Sequence, residues 1–368
     1  MSAITPSSMQ LNKLKWETTT EYNTGLDATF LKGKLRFTVD VYQKYVKDLL
    51  QPKVKMPTTI GYGNGYQISY MNSGKMTNKG WEFRVDAVPF QNKDWRVGVY
   101  FNIAHNENKI TEMPDNYIEE NYTFGNGNYA YRREEGRPMG SFYGYRYKGV
   151  YQNKDATYAR DIEGNVMKDI SGNAIVMRNG SYTVAPGDAI YEDVNHDGVI
   201  NQYDIVYLGN SNPRLTGGAG LNVSYKQFKL SAIFYGRYGQ DVVNATRLNN
   251  ESMRGIDNQS TAVLRRWRNE GDQTDIPRAL YGEGYNTLGS DRFVEDASYL
   301  RLKSLSFTYR LPKKAIQRWG FNNIDVYVTG YNLFTWTNYT GQDPEVKTEN
   351  TYALSLIHIS EPTRRSYI

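Results

Sequence analysis

The residues best suited to chemistry lie in the stretch DVNHDGVINQYD, residues 193–204. Side chains that carry oxygen recur at positions 1, 3, 5, 9 and 12 of this stretch, Gly198 stands at the sharp turn, and Val199 offers a backbone carbonyl. Calcium prefers many hard oxygen ligands in flexible geometry, and this spacing is typical of an EF-hand-type loop. The predicted calcium ligands are Asp193, Asn195, Asp197, Val199, Asn201 and Asp204.

An alternative explanation of the same stretch needs no ion. Asn and Asp side chains also form turns by accepting hydrogen bonds from nearby backbone N–H groups. Asp204 stands where EF-hand loops carry a bidentate glutamate. Its shorter side chain predicts weak binding, in the range of about 10⁻⁴–10⁻³ M that is typical of extracellular modules. We expect a structural rather than a catalytic role for calcium in this loop.

Composition excludes several classes of function. The chain has no cysteine and 3 histidines, so disulfides, thiolate metal sites, His-based triads and multi-histidine zinc sites are not expected. Its 44 basic and 39 acidic residues are spread along the chain without a basic run, so we expect no nucleic-acid partner. We predict that the protein is not an enzyme.

The candidate metal loop lies among segments in which apolar and polar side chains alternate with a period of two. Such alternation predicts antiparallel strands with one apolar and one polar face. The segments are about ten residues long, short turns alternate with very long loops, and aromatic residues gather near strand ends. Apolar sets of this kind are Leu35, Phe37, Val39 and Val41; Trp81, Phe83, Val85 and Ala87; Ala219, Leu221, Val223 and Tyr225.

This pattern leaves two architectures open. A membrane β-barrel needs strands of about ten residues with aromatic belts at both interfaces. A soluble antiparallel sheet with one wet face produces the same alternation. Strand length, loop length and aromatic positions favour the barrel. We therefore predict an all-β fold, an antiparallel transmembrane β-barrel that is partial, with about eight crossing strands and long outer loops.

Local features refine the predicted topology. The apolar parity slips between Leu302 and Leu305, which predicts a β-bulge around Ser304. The connector PKKAIQRWGFNN, residues 312–323, is expected to hold a short helix. The segment 140–152 is expected to stay outside the crossing strands and to pair with GDAIYEDV. Together with an EF-hand-like insertion at 185–214, it would form a long outer excursion.

The first and last segments of the chain lead to two separate expectations. The opening MSAITPSSMQ lacks the basic and apolar regions of a signal peptide, so either the chain is cytoplasmic or its natural beginning lies upstream. The final segment contains LSLIHISEPTR, which resembles the in-frame translation of a transposase-type sequencing adapter. We expect residues 1–353 to be native barrel sequence and residues 354–368 to be a non-native tail.

Several ordered blocks resemble the SusC/RagA family of TonB-linked outer-membrane transporters of Bacteroidetes. The most specific is GDAIYEDVNHDGVINQYDIVYLGNSNPRLTGG, residues 187–218. The other blocks are LKWETTTEYNTGLD (14–27), VDVYQKYVKDLL (39–50), NKGWEF (78–83), EGRPMGSFYGYRYKGVYQ (135–152), YLRLKSLSFTYRLP (299–312) and VYVTGYNLFTWTNYTGQDPEV (326–346).

The resemblance implies a location in the bacterial outer membrane and import of glycan or peptide oligomers. It also implies a SusD-like surface lipoprotein as a partner and energy supplied by TonB. The family's signal peptide, plug domain and TonB box lie upstream of the matching blocks, so we expect the chain to be the C-terminal part of a longer transporter. The alternative from another class is a soluble, calcium-stabilised β-rich surface adhesin or glycan-binding module.

Overall fold

The computed structural model describes residues 14–55, 67–72, 74–113, 129–131 and 134–345. The strands are β1 (Thr18–Phe30), β2 (Leu35–Lys47), β3 (Leu50–Lys55), β4 (Gln67–Asn72), β5 (Lys75–Gln91), β6 (Trp95–Glu112), β7 (Ala130–Tyr131), β8 (Ser141–Gly144), β9 (Tyr147–Val150), β10 (Arg178–Asn179), β11 (Tyr182–Thr183), β12 (Ala189–Tyr191), β13 (Val206–Asn210), β14 (Leu215–Tyr225), β15 (Phe228–Tyr238), β16 (Asp241–Val243), β17 (Val294–Asp296), β18 (Tyr299–Arg310) and β19 (Asp325–Thr337). Two short α-helices are α1 (Ala245–Asn250) and α2 (Lys313–Ile316).

One large antiparallel sheet organises the molecule. Its eight strands follow the order β1-β2-β5-β6-β14-β15-β18-β19, and every neighbouring pair is antiparallel. These strands contain 11 to 18 residues each. This number of strands confirms the predicted crossings. Within the described residues, β1 and β19 each pair along one side only, so the sheet is open.

The register places apolar side chains on one face of this sheet and polar side chains on the other. Successive residues of a strand point to opposite faces, so each register row belongs to one face. One row across all eight strands reads Leu26, Val39, Phe83, Ile103, Gly217, Gly236, Leu300 and Trp336. The adjacent row reads Asp27, Thr38, Arg84, Asn102, Gly218, Tyr235, Arg301 and Thr335.

The apolar face stays exposed in the described structure. Phe101, Phe307 and Trp336 keep 46%, 48% and 52% of their surface accessible. A soluble sandwich would bury such residues against a second sheet, because large exposed apolar surfaces mark a contact with a partner or a membrane. The exposed face therefore argues against the soluble alternative.

Aromatic residues mark both ends of this face, as predicted. At the short-turn end, the rings of Trp95 and Tyr225 lie 4.3 Å apart, and those of Phe228 and Tyr309 lie 4.9 Å apart. At the long-loop end, the Trp81 ring lies 6.0 Å from that of His105. About ten residues of β6 separate the two bands, which corresponds to roughly 33 Å along the strand. For strands tilted by about 40° from the barrel axis, this is about 25 Å along that axis.

The connections follow the predicted division into short and long. Short connections link β1 to β2, β5 to β6 and β14 to β15, and the fourth contains helix α2, as predicted for its segment. At the bulge, Ile233 pairs with Ser304 and Phe234 with Leu302, which leaves Lys303 as the extra residue. The parity slip around Ser304 is thereby explained.

The main hydrophobic core lies in the long loops. It contains Tyr145, Tyr151, Ala159, Met177, Val184, Ala189, Tyr191, Ile200, Tyr285 and Leu288. These residues come from the excursion between β6 and β14 and from the loop between β15 and β18, and we call the resulting structure the loop body. Inside it, β9 pairs with β12, which confirms the predicted pairing of segment 140–152. Short 3₁₀ helices at Asp155–Thr157, Gln202–Asp204 and Tyr285–Thr287 contribute to it.

Within the described part of the chain, no helix has the length and apolar character required to cross a membrane.

Candidate functional site

The predicted calcium ligands lie together in one tight loop at the surface of the loop body. The Asp193 carboxylate accepts hydrogen bonds from the backbone N–H groups of Asp197 (3.2 Å) and Gly198 (2.8 Å). Gly198 has a φ of +78°, a left-handed conformation that favours glycine at this turn. Asp197 accepts from the Val199 N–H at 2.8 Å and from the side-chain amide of Asn195 at 2.9 Å.

The second half of the loop is held by Asn201 and Asp204. Asn201 caps a short 3₁₀ helix by accepting from the Tyr203 N–H, and its side-chain amide donates to the Val199 carbonyl at 3.1 Å. Asp204 is fully buried and accepts from the N–H groups of Val194 and Asn201, both at 2.8 Å. Burial raises the pKa of the Asp204 carboxyl, and the charges of Asp193 and Asp197 raise it further.

The donor set of this loop suits calcium in its chemistry, since every predicted ligand supplies an oxygen. A cation would also offset the repulsion among the three carboxylates. However, these oxygens are satisfied by N–H groups of the loop, as the ion-free turn predicts, and the described residues contain no group of three His, Cys, Asp or Glu side chains placed to hold a metal. Calcium binding by the loop therefore stays a prediction.

Calcium binding predicts a thermal shift. At about 100 times the dissociation constant, calcium is expected to add roughly 2.7 kcal/mol to the stability of the loop body. The double variant Asp193→Asn/Asp197→Asn is expected to abolish the calcium-dependent rise in Tm of the purified protein. Asp161→Asn/Asp169→Asn is the matched control, because it removes two carboxylates from nearby turns that are closed by backbone N–H donors. A wild-type Tm indifferent to calcium, or an equal loss in the control, would discard the site.

Those two turns form an internal repeat that the sequence analysis missed. Asp161 and Asp169 each accept a hydrogen bond from the N–H group four residues ahead, at 2.8 and 2.9 Å. These backbone bonds lower the pKa of both carboxyls. The sequences DIEGN and DISGN recur eight residues apart. A search for short repeats would have found them.

A buried carboxylate joins the two long excursions of the loop body. Asp188 is fully buried and accepts from the Arg278 guanidinium at 2.7 Å, from the Tyr182 hydroxyl at 2.7 Å and from the Asn286 amide at 3.2 Å. Beside it, a Cβ on Gly187 would lie 2.2 Å from the Trp267 ring, so the position requires glycine. This contact has no local signal in the sequence, because Asp188 and Arg278 lie 90 residues apart.

A second ionic network ties the loop between β15 and β18 to the segment after β19. Glu251 accepts from Arg247 and from the buried Arg292, both at 2.9 Å. Arg247 also reaches Glu295 at 3.2 Å, and Glu295 accepts from the Thr340 N–H at 2.8 Å. The long loops at this end of the sheet are thus cross-linked to one another.

The polar face below the loop body carries several paired charges. Arg84 makes two hydrogen bonds of 2.7 Å to Asp86. The buried Arg301 contacts Asp343 at 2.5 Å and Glu345 at 2.6 Å, and its Nε donates to Thr335 at 2.9 Å. This arrangement gives a water-compatible wall with fixed charges.

Comparisons with known proteins agree with this architecture. The model of the family described as TonB dependent receptor-like, beta-barrel, matches residues 3–333. TonB-dependent receptor P3 of Formosa agariphila is 32% identical over 346 residues, covering 92% of this chain and 32% of that protein. TonB-dependent receptor SusC of Bacteroides thetaiotaomicron is 30% identical over 343 residues, covering 91% of this chain and 30% of that protein.

Solved structures show the same fold. The RagAB peptide transporter matches with a TM-score of 0.67 and 26% sequence identity, over 92% of this chain and 34% of the matched chain. The chain thus spans about a third of the length of its relatives. Its exposed apolar face corresponds to the lipid-facing side of a barrel wall and its polar face to the lumen. The chain belongs to the TonB-dependent receptor-like β-barrel family of the outer membrane, with SusC and RagA among its relatives.

Proposed function

We propose that the chain forms part of an importer that carries glycan or peptide oligomers across the bacterial outer membrane of a Bacteroidetes-type cell. The observation that carries this proposal is the eight-stranded sheet, apolar on one face and polar on the other, with a cross-linked loop body at one end. A barrel with such a wall lets hydrophilic solutes pass through its lumen, and the energy for transport comes from outside the barrel. We therefore propose no enzymatic role.

The proposed partners follow from the relatives. The names of several relatives refer to TonB, and one structural neighbour is named as a peptide transporter. We propose that TonB couples import to energy through a region outside this chain, and that a SusD-like surface lipoprotein covers the loop body. The loop body suits such a contact, because its buried Tyr145, Tyr191 and Tyr285 and its ionic networks hold the loops in one arrangement.

Gene disruption tests the proposed import. We expect disruption in the native host to abolish uptake of at least one labelled oligosaccharide or peptide from a panel. Restoration should require both the complete gene and functional TonB. Monomeric sugars and single amino acids serve as the control, since general porins admit them. Unchanged uptake of the whole panel, or a product that is soluble without detergent, would contradict the proposal and favour the adhesin.

A further inference from the structure

The bulge in β18 turns an extra lysine toward the lumen. Because Leu302 pairs with Phe234 and Ser304 pairs with Ile233, Lys303 has no partner in the β15 ladder. Its Nζ lies 5.1 Å from the centroid of the Tyr235 ring, and Tyr235 belongs to the polar face. Bulges often re-aim a side chain beside a functional site. Here the bulge adds a cation to the lumen wall that a regular strand would not place there.

A second cation lies on the same ring. The Cζ of Arg237 is 5.8 Å from the Tyr235 centroid, and its Nε donates to the Tyr235 hydroxyl at 3.0 Å. The two Nη atoms of Arg237 have no hydrogen-bond partner among the described residues, and neither Arg237 nor Lys303 makes a salt bridge there. Next to Tyr235 in the register row, Gly218 projects no side chain.

The neighbouring Arg301 is a structural cation on the same wall. Arg301 is 6% exposed and is neutralised by Asp343 and Glu345. Arg237 and Lys303 lie close to Arg301 on the same wall, and neither makes a salt bridge among the described residues; Glu345 acts on Arg237 only through its charge, without a direct contact. An unpaired guanidinium presents a rigid fork that matches a carboxylate in a two-bond geometry, and an ammonium adds a point charge.

We propose that Arg237 and Lys303, held on Tyr235, form a luminal subsite for a carboxylate group of the transported oligomer. The inference rests on the proposed import function and narrows its substrate class to acidic oligomers. The carboxylate can come from a uronic acid unit or from an acidic peptide. In either case the Nη atoms of Arg237 and the Nζ of Lys303 would donate to its oxygens.

Binding to the purified complete transporter tests this subsite. The probes are an oligogalacturonate with its neutral methyl ester, and a glutamate-rich peptide with its glutamine counterpart. We expect the wild-type protein to prefer the acidic member of one pair by roughly tenfold or more, and Arg237→Gln or Lys303→Gln to remove most of that preference. The pair that shows the preference identifies the source of the carboxylate. Binding of the neutral member should stay unchanged.

Lys229→Gln is the matched control. Lys229 lies on the same polar face of β15, about 25 Å along the strand, and its loss changes the net charge equally. If it removed the preference as well, the effect would be a general charge effect and the subsite would be wrong. Equal binding of acidic and neutral probes by the wild type would overturn the subsite but leave the importer intact. Failure to bind or import any oligomer would overturn both proposals.

Discussion

Asp188→Ala is expected to loosen the loop body, lowering its free energy of unfolding by about 3 kcal/mol. The reason is the burial of the network. Asp188 is fully buried, and its removal strands the donors of Arg278, Tyr182, Asn286 and the Ala185 N–H that now point at it. Removing one partner of a buried pair costs far more than the net value of the pair, because the other groups lose their hydrogen bonds.

Hydrogen exchange of the backbone amides measures this loss locally. Exchange in the variant should accelerate across the loop body, at the amides of Tyr151, Ala189 and Arg278, while the β14–β15 ladder stays protected. Glu192→Gln is the control, because it breaks partly exposed ion pairs with Arg146 and Lys148, which are worth less than about 1 kcal/mol. Equal exchange in both variants would show that Asp188 does not hold the two excursions together.

The strands of the large sheet were predictable from the sequence because the polarity of each residue matches the medium, lipid or water, that its face of the sheet contacts. Lipid on one face and water on the other impose a period of two along β2, β5, β6 and β14. The β-bulge at Lys303 was also predictable, because it appears in the sequence as a shift in the alternation of apolar residues. Periodicity could not show that the extra residue contacts Tyr235, because that contact crosses between strands.

The ties that hold the loop body were not predictable, because they join residues with no periodic relation. Asp188 and Arg278 come from different excursions, and Arg301 meets Asp343 and Glu345 only after β19 has crossed the wall. The candidate metal loop, residues 193–204, was predictable in part. Its oxygens were identified from spacing alone, and the structure brings them together. Spacing cannot decide between an ion and backbone N–H groups as their partners. The predicted tail, 354–368, lies outside the described residues.

Two neighbouring substitutions in β14 separate the faces of the wall. Leu221→Arg places a charge in the row that contains Val99 and Ala232, close to the middle of the apolar band. A basic residue at the lipid midplane costs about 2–4 kcal/mol. Asn222→Arg faces the lumen opposite Gly98, where the longer side chain has room and water. It gives up one hydrogen bond from Ser231, worth about 1 kcal/mol.

The alternation of lipid-facing and water-facing residues is tested most directly by the free energy of unfolding of these two variants of the complete barrel in lipid vesicles. Their charge change is identical and their backbone positions are adjacent, so the difference reports orientation alone. We predict that Leu221→Arg destabilises the barrel by at least about 1 kcal/mol more than Asn222→Arg does. Equal costs, or a larger cost at Asn222, would contradict the assignment of the apolar face to lipid.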